Sequence, residues 1–196
     1  MGKEKVIFLD RDGTINVEKN YLYRPEDLVL IPGAAKAIRM FNEHGFRTVV
    51  VTNQAGVARG YYTEEDVRRL HEFLNEILLR EGAHIDHFFY CPHHPEHGIG
   101  DYRVQCGCRK PNPGLLAMAE RYYQVDKTHS YMIGDNTGDM GAGQNYGVTT
   151  VLVGTGYGEQ LWREGKTPCD FYADNLLEAA RLILEREGGD GDYGTK

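Results

Sequence analysis

Two aspartates that lie two positions apart, Asp10 and Asp12, follow an apolar run in the stretch VIFLDRDGT. One carboxylate of such a pair can attack phosphorus, while the other gives a proton to the leaving alcohol and later takes one from water. Gly13 permits a tight turn whose backbone N–H groups can face phosphate oxygens. Because a lone D-x-D pair is often only a solvated turn, this assignment needs partners elsewhere. The pattern predicts phosphoryl transfer with Asp10 as nucleophile and Asp12 as general acid and base.

Three later segments can supply those partners. Thr52 ends the apolar run VVVT, and its hydroxyl can bind a phosphoryl oxygen. Lys110 in RKP offers a point charge for the negative charge that develops on phosphate. Asp135 and Asp139 in IGDNTGD offer hard carboxylate oxygens, which suit Mg²⁺. Each residue alone is more often a capping threonine, a surface lysine or a polar turn, so the prediction depends on their combination.

The segment CPHHPEHGIGDYRVQCGCRKP, residues 91–111, holds three of the four cysteines and three of the eight histidines. Two ligand pairs, C-x-H and C-x-C, are typical of a closed tetrahedral Zn²⁺ site with a structural role. The candidate ligands are Cys91, Cys106 and Cys108 with one of His93, His94 and His97. Such a site would fix the loop that leads into Arg109 and Lys110. The alternative is a set of buried free cysteines with solvated histidines.

The elements that must position these residues can be predicted from the apolar pattern. We expect strands at 5–9, 46–52, 85–91, 130–135, 149–153 and 170–173, and helices at 32–45, 63–82, 113–123, 138–146 and 175–187. Strands that alternate with helices predict an α/β fold, with a mostly parallel sheet and helices on both faces. Ligands of such folds bind at the carboxyl ends of the strands. Four predicted strands end there on a polar residue or a cysteine: Asp10, Thr52, Cys91 and Asp135.

Length and composition indicate one globular domain over residues 1–187, with a disordered tail at 188–196. The chain has 196 residues, of which 41% are hydrophobic and 26% charged, and its formal net charge is −7. This acidic balance argues against a nucleic-acid or membrane binder. We expect a cytoplasmic protein with a small-molecule substrate, because no secretory signal and no apolar run of about 20 residues is present. The sequence has no obvious large cap insertion, so we also expect a monomer with a fairly open site. Clustered cysteines in that reducing compartment would bind a metal.

The four motifs, in this order, resemble those of the haloacid dehalogenase (HAD) superfamily over residues 5–153. The resemblance implies a Rossmann-like fold, a phosphoaspartyl intermediate and catalytic Mg²⁺. Within the superfamily, FLDRDGTIN, VVVTNQAGVARG, CPHHPE and CGCRKPNPG are similar to the D-glycero-D-manno-heptose 1,7-bisphosphate 7-phosphatase family, whose members serve activated-heptose and lipopolysaccharide biosynthesis. Histidinol-phosphate phosphatases share much of the pattern, so they and other small sugar-phosphate phosphatases remain alternatives.

The resemblance also implies roles for single residues. It implies Mg²⁺ binding by the carboxylates of Asp10 and Asp135 and by the backbone carbonyl of Asp12, and it selects His93 as the fourth zinc ligand. Thr52 and Lys110 would steady the transferring phosphoryl group. The residues implied to contact the sugar phosphate are Asp10, Arg11, Asp12, Glu18, Lys19, Asn20, Tyr21, Thr52, Asn53, Gln54, Ala55, Arg109, Lys110 and Asn136. Asn136 departs from the family, which usually carries lysine there.

Two other classes of protein share part of this pattern. A phosphorylatable receiver-like signalling domain also uses a strand-end aspartate, Mg²⁺, threonine and lysine, but it needs neither D-x-D spacing nor a metal-held loop. A zinc-ribbon binding module would leave the α/β part inert, and the acidic balance argues against it. Outside the motifs, we expect His71 to be a surface or satisfied structural histidine and Trp162 to pack in a loop before the last strand.

Overall fold

The computed structural model of the chain describes residues 2–189, and its centre is a sheet of six strands. The strands lie in the order β3-β2-β1-β4-β5-β6, and all neighbouring pairs are parallel. Their bounds are β1 Val6–Leu9, β2 Arg47–Asn53, β3 His87–Cys91, β4 Tyr131–Gly134, β5 Thr149–Val153 and β6 Phe171–Ala173. The predicted α/β class and parallel sheet are confirmed.

Helices connect the strands, as the alternating pattern predicts. They are α1 Ala34–Glu43, α2 Ala55–Ala58, α3 Glu64–Arg80, α4 Gly114–Ala117, α5 Thr137–Tyr146, α6 Gly158–Glu164 and α7 Leu176–Gly189. Helix α3 begins at a capping box, in which Thr63 and Asp66 each accept a hydrogen bond from the other's backbone N–H. Helix α7 ends two residues beyond the predicted 187, and residues 190–196 of the predicted tail lie outside the described residues. No helix within residues 2–189 is long and apolar enough to cross a bilayer.

Two helical segments differ from the sequence prediction. The helix expected at 113–123 is only the short α4 followed by a 3₁₀ turn at Met118–Arg121, a common way for a helix to tighten at its end. The loop expected around Trp162 was wrong, because that residue lies in α6. Gly158 is the only residue of α6 that is buried, so no apolar stripe marked this helix in the sequence. Trp162 is half-exposed and stacks on Tyr172.

The core lies on both faces of the sheet, and β1 divides its side chains between them. Ile7 and Leu9 pack against α1, α3 and α7, while Val6 and Phe8 pack against α4 and α5. All four side chains are fully buried. A strand covered on both faces has an unbroken apolar sequence, which explains why VIFL was recognisable as a central strand. Its carboxyl end therefore delivers Asp10 between the ends of β2 and β4.

Candidate active site

A cavity of about 310 Å³ opens at the carboxyl ends of β1, β2 and β4. Ten of the residues predicted to act on phosphate, sugar or Mg²⁺ line it: Asp10, Asp12, Glu18, Thr52, Asn53, Arg109, Lys110, Asp135, Asn136 and Asp139. Gly138 and Tyr157 complete the lining. The parallel order of the strands brings these residues together although they come from distant parts of the chain.

Lys110 is the electrostatic centre of this cavity. Its ammonium group, 3% exposed, lies 2.7 Å from Oδ1 of Asp10 and 2.6 Å from Oδ1 of Asp139. It also donates to the backbone carbonyl of Val51 at 2.7 Å. These acceptors match the three donors of a lysine ammonium, so the group is held in one position.

The backbone at Lys110 is fixed as tightly as its side chain. Oδ1 of Asn53 accepts from the N–H of Lys110 at 3.1 Å, and Nδ2 of Asn53 donates to the carbonyl of Lys110 at 3.1 Å. This pair of hydrogen bonds ties the loop before α4 to the end of β2. Arg109, one residue earlier, lines the cavity and donates to the backbone carbonyl of His93 at 3.2 Å.

The carboxylates of the cavity outnumber its buried cation. Asp10, Asp135 and Asp139 offer oxygens within 4.8 Å of one another, and Lys110 balances only one of the three charges. Burial and the charge of Asp139 raise the pKa of Asp10 to about 7. Burial and the charge of Asp10 raise the pKa of Asp135 to about 8. Burial alone would lower the pKa of Lys110, but Asp10 and Asp139 outweigh it and raise that pKa.

The remaining negative charge fits a divalent cation with oxygen ligands. Asp135 is packed between Gly13 and Gly156, which both have positive φ; a Cβ at either glycine would lie 2.2 Å or less from its Oδ2. Oδ2 accepts from the N–H of Tyr157 at 2.9 Å, so Oδ1 is the oxygen of Asp135 that remains available to a metal. Asp139 differs, because its Oδ1 contacts Lys110 and its Oδ2 accepts from the N–H of Asn136 at 3.0 Å. The donor set therefore favours Asp10 and Asp135 as carboxylate ligands of Mg²⁺.

Asp12 lies beside this group, and its carboxylate is held by three side chains. Arg11 donates to both of its oxygens, at 2.7 and 3.0 Å from Nη2. Asn16 donates to Oδ1 at 2.9 Å and Gln54 to Oδ2 at 3.1 Å. The amide of Gln54 also donates to Oγ1 of Thr52 at 2.9 Å. Gln54 therefore connects Asp12, in the first motif, with Thr52, in the second.

A second cavity of about 180 Å³ adjoins the first and shares Asp12, Glu18, Asn53 and Tyr157 with it. Its other lining residues are Asn20, Tyr21, Gln54, Ala55 and Tyr62. The segments 18–21 and 52–55 thus meet at one cleft, and their contact with a sugar phosphate stays a prediction. Polar donors and acceptors dominate this lining, and they suit a ligand with many hydroxyl groups.

Two predicted contact residues lie elsewhere. The guanidinium of Arg11 is fully buried beneath Asp12, so only its backbone could face a substrate. Lys19 lines neither cavity, and its ammonium donates to the backbone carbonyl of Asp27 at 2.7 Å. Their contacts with a substrate remain predictions, which their side-chain positions do not favour.

Tyr157 and Tyr62 line the cleft but were missed in the sequence. Tyr157 follows β5 in the stretch VLVGTGYG, where the same strand-end argument that selected Asp10 would have found it. Tyr62 donates to Oε1 of Gln54 at 2.7 Å and stacks on Tyr23. The sequence pattern suggested only packing for Tyr62, since nothing local marks a hydroxyl that reaches Gln54.

Cys91, His93, Cys106 and Cys108 form a separate group of potential metal ligands. The three sulfurs lie 3.2–3.4 Å apart, and Nδ1 of His93 lies 3.7 Å from Cys91 and 3.5 Å from Cys108. Ligand separations of a tetrahedral Zn–S site, with bonds of about 2.3 Å, are about 3.8 Å. The donor type and compactness therefore fit zinc, and His93 is the histidine that faces the cysteines. His94 instead accepts from the N–H groups of Glu96 and His97.

Comparisons with known proteins identify the relatives of this chain. The profile of the HAD-hydrolase-like family matches residues 107–179. The D-glycero-β-D-manno-heptose-1,7-bisphosphate 7-phosphatase of Haemophilus ducreyi is 39% identical over 185 residues, which cover 93% of this chain and 100% of that protein. The corresponding D-glycero-α-D-manno-heptose enzyme of Burkholderia mallei is 42% identical over 77% of this chain and 80% of its own length.

A solved structure extends the comparison to the fold. The D,D-heptose 1,7-bisphosphate phosphatase from B. bronchiseptica, complexed with magnesium and phosphate, superposes with a TM-score of 0.83 at 31% identity. The match covers 93% of this chain and 99% of that chain. Identity at this level over nearly the whole length, together with the shared fold, shows common descent. The chain belongs to the HAD-like hydrolases, and within them to the family of the heptose 1,7-bisphosphate 7-phosphatases.

Proposed function

We propose that this protein removes the 7-phosphate from D-glycero-D-manno-heptose 1,7-bisphosphate through an aspartyl-phosphate intermediate. The observation that carries the proposal is the placement of Asp10 beside Lys110 in a cavity that Asp12 also lines. Nucleophile, cation and proton carrier of a phosphoryl transfer thus share one small space. The relatives that cover this chain almost completely are enzymes named for this reaction.

The first half of the reaction transfers the phosphoryl group to the protein. Lys110 bonds Oδ1 of Asp10, so Oδ2 can approach phosphorus while the ammonium balances the charge on the phosphoryl oxygens. As the bond from phosphorus to the sugar oxygen breaks, Asp12 gives that oxygen a proton, and the sugar leaves as an alcohol. Thr52, held by Gln54, presents its hydroxyl to the same oxygens.

The second half releases phosphate. Asp12, now ionised, takes a proton from a water molecule that attacks phosphorus, and the bond to Asp10 breaks. Inorganic phosphate leaves and the carboxylate of Asp10 is restored. Asp10, Asp135 and the backbone carbonyl of Asp12 would hold Mg²⁺, which supplies positive charge to bind and polarise the phosphate.

We further propose that Cys91, His93, Cys106 and Cys108 hold a structural Zn²⁺. The sulfur of Cys108 lies 3.3 Å from that of Cys91, and this contact lowers the pKa of Cys108 to about 5. Cysteine binds zinc as the thiolate, so the lowered pKa of Cys108 favours zinc binding at this site. The bound metal would fix Cys108, and through it Arg109 and Lys110, which must meet the phosphate.

Release of inorganic phosphate tests the proposed function. The purified protein should hydrolyse heptose 1,7-bisphosphate with Mg²⁺ and leave a heptose 1-phosphate, and both anomers should be compared because the relatives include enzymes named for each. Asp10→Asn should abolish turnover, since an amide does not attack phosphorus. Preference for histidinol phosphate would favour the related phosphatases, and a single phosphorylation without turnover would favour a receiver-like domain. Full activity of Asp10→Asn would refute the intermediate.

A further inference from the structure

Arg11 is a buried cation, and its burial must be offset by the groups that it contacts. Its side chain is fully shielded from solvent and lies outside both cavities. Nη2 donates to both carboxylate oxygens of Asp12, and Nε adds a third contact at 3.2 Å. A guanidinium in the interior must pair its charge and its donors. Because its planar fork matches a carboxylate, this pairing fixes the plane of the Asp12 carboxylate as well as its position.

His71 completes the pairing of Arg11 on its far side. Nε2 of His71 lies 3.2 Å from Nη1 of Arg11, while the backbone carbonyl of Leu22 accepts from Nη2 at 3.2 Å. His71 is 4% exposed, and its ring stacks on Phe88 at 4.7 Å. Burial, together with the charge of Arg11, lowers the pKa of His71 well below its ordinary value. The ring is therefore neutral and accepts the hydrogen bond from Arg11.

We propose that Arg11 and His71 act as positioning residues that fix the carboxylate of Asp12 for its proton transfers. The inference rests on the proposed function, since that function gives Asp12 the role of proton carrier. Arg11 contacts Asp12 directly, and His71 acts through Arg11. Neither side chain lines the cavity in which substrate would bind.

Loss of the acceptor on His71 should weaken proton transfer selectively. One N–H of a buried guanidinium would be unpaired, so Arg11 would move toward another acceptor and weaken its hydrogen bonds to Asp12. A sugar alkoxide needs a proton as its bond to phosphorus breaks, whereas p-nitrophenolate leaves as a stable anion. A misplaced Asp12 should therefore slow a sugar phosphate much more than p-nitrophenyl phosphate. A general loss of folding would slow both substrates alike.

The experiment compares kcat/KM for heptose 1,7-bisphosphate and p-nitrophenyl phosphate, with Mg²⁺, in matched variants. His71→Leu removes the acceptor, His71→Gln keeps one at the reach of Nε2, and His71→Asn is polar but too short. Leu78→Ala, in the same helix and in the core, is the control for stability. Asp12→Asn is the reference for complete loss of proton transfer. Because kcat/KM reports the steps up to departure of the leaving group, it isolates the role of Asp12 as acid.

We expect His71→Leu and His71→Asn to lower kcat/KM for the heptose substrate about tenfold or more, with less than about a twofold change for p-nitrophenyl phosphate. His71→Gln should keep most of the wild-type kcat/KM for the heptose substrate. Leu78→Ala should leave the ratio of kcat/KM for the heptose substrate to kcat/KM for p-nitrophenyl phosphate unchanged. If Asp12→Asn changes this ratio and neither His71→Leu nor His71→Asn does, the positioning role is refuted while the proposed function stands. If the wild-type protein hydrolyses neither substrate, the proposed function falls, and the inference falls with it.

Discussion

Asp139→Asn tests whether Asp139 binds Mg²⁺ or instead holds Lys110 and the start of α5. Oδ1 of Asp139 contacts the ammonium of Lys110, and Oδ2 accepts from the N–H of Asn136 at the start of α5. An asparagine has one acceptor oxygen for these two donors. If the amide oxygen turns to Lys110, its NH₂ group faces the N–H of Asn136; in the other orientation, the NH₂ group faces the ammonium. One of the two contacts is lost in either case.

The size of the effect follows from these contacts. Replacing a charged acceptor of Lys110 by a neutral one costs about 1 kcal/mol, the difference between charged and neutral hydrogen bonds. Loss of the capping contact costs about 1 kcal/mol more. We therefore expect the free energy of unfolding to fall by about 2 kcal/mol. The part that acts on Lys110, about 1 kcal/mol, should lower kcat/KM roughly fivefold.

The assay is phosphate release as a function of Mg²⁺ concentration, with Asp135→Asn as the matched variant. Both substitutions remove one carboxylate charge from the same cavity, but only Asp135 is assigned as a metal ligand. The Mg²⁺ concentration for half-maximal activity should rise at least about tenfold more in Asp135→Asn than in Asp139→Asn, since loss of a ligand exceeds loss of a neighbouring contact. An equal or greater rise in Asp139→Asn would show that Asp139 binds the metal and would refute this reading.

Three other perturbations test separate parts of the structure. Cys106→Ser should lower both zinc content, measured by metal analysis, and kcat/KM; wild-type protein purified without chelator that contains no zinc would contradict the site. His71 stays neutral in the folded protein while the unfolded chain protonates it below about pH 6.5, so the folded state loses stability as pH falls through that value. From pH 7.5 to 5.5, the free energy of unfolding measured with urea should fall by about 1.4 kcal/mol more in the wild type than in His71→Gln. Equal decreases in the two proteins would argue against a neutral His71. Asn136→Lys should lower KM for the bisphosphate by adding a cation to the cavity. It should also lower the free energy of unfolding by about 1 kcal/mol, because Oδ1 of Asn136 caps α5 at the N–H of Gly138. An unchanged KM for both anomers would mean that Arg109 and Lys110 already balance the phosphate charge.

The fold was predictable because its strands are buried on both faces. Runs such as VIFL and VVVT have no periodic polar position, and each corresponds to a strand of the sheet. The long helices α1, α3 and α7 were equally clear, since each buries a regular apolar stripe. The short helices α2 and α6 were missed, because neither has the length or the stripe that would mark it.

The site was predictable where a functional residue lies at the end of a strand. Asp10, Thr52 and Asp135 follow apolar runs, so sequence alone could place them at one edge of the sheet. The residue pattern alone did not separate Asp135 from Asp139, because both lie in GDNTGD; the family resemblance selected Asp135, and the contact of Asp139 with Lys110 favours the same choice. The contact between Arg11 and His71 joins residues far apart in the chain, and no local pattern records it.

The order of strands in the sheet has a consequence for synthesis of this protein on the ribosome. Strand β1 is made first, but one of its two neighbours, β4, pairs Tyr131 with Ile7 and is made much later. At about 5–20 residues per second, β1 waits on the order of ten seconds for that neighbour. During this time the emerging chain has an apolar strand with an open edge, which favours aggregation and recognition by chaperones. The acidic cavity is likewise incomplete until β4 and the start of α5 have emerged, so neither metal nor substrate can assist the early stages of folding.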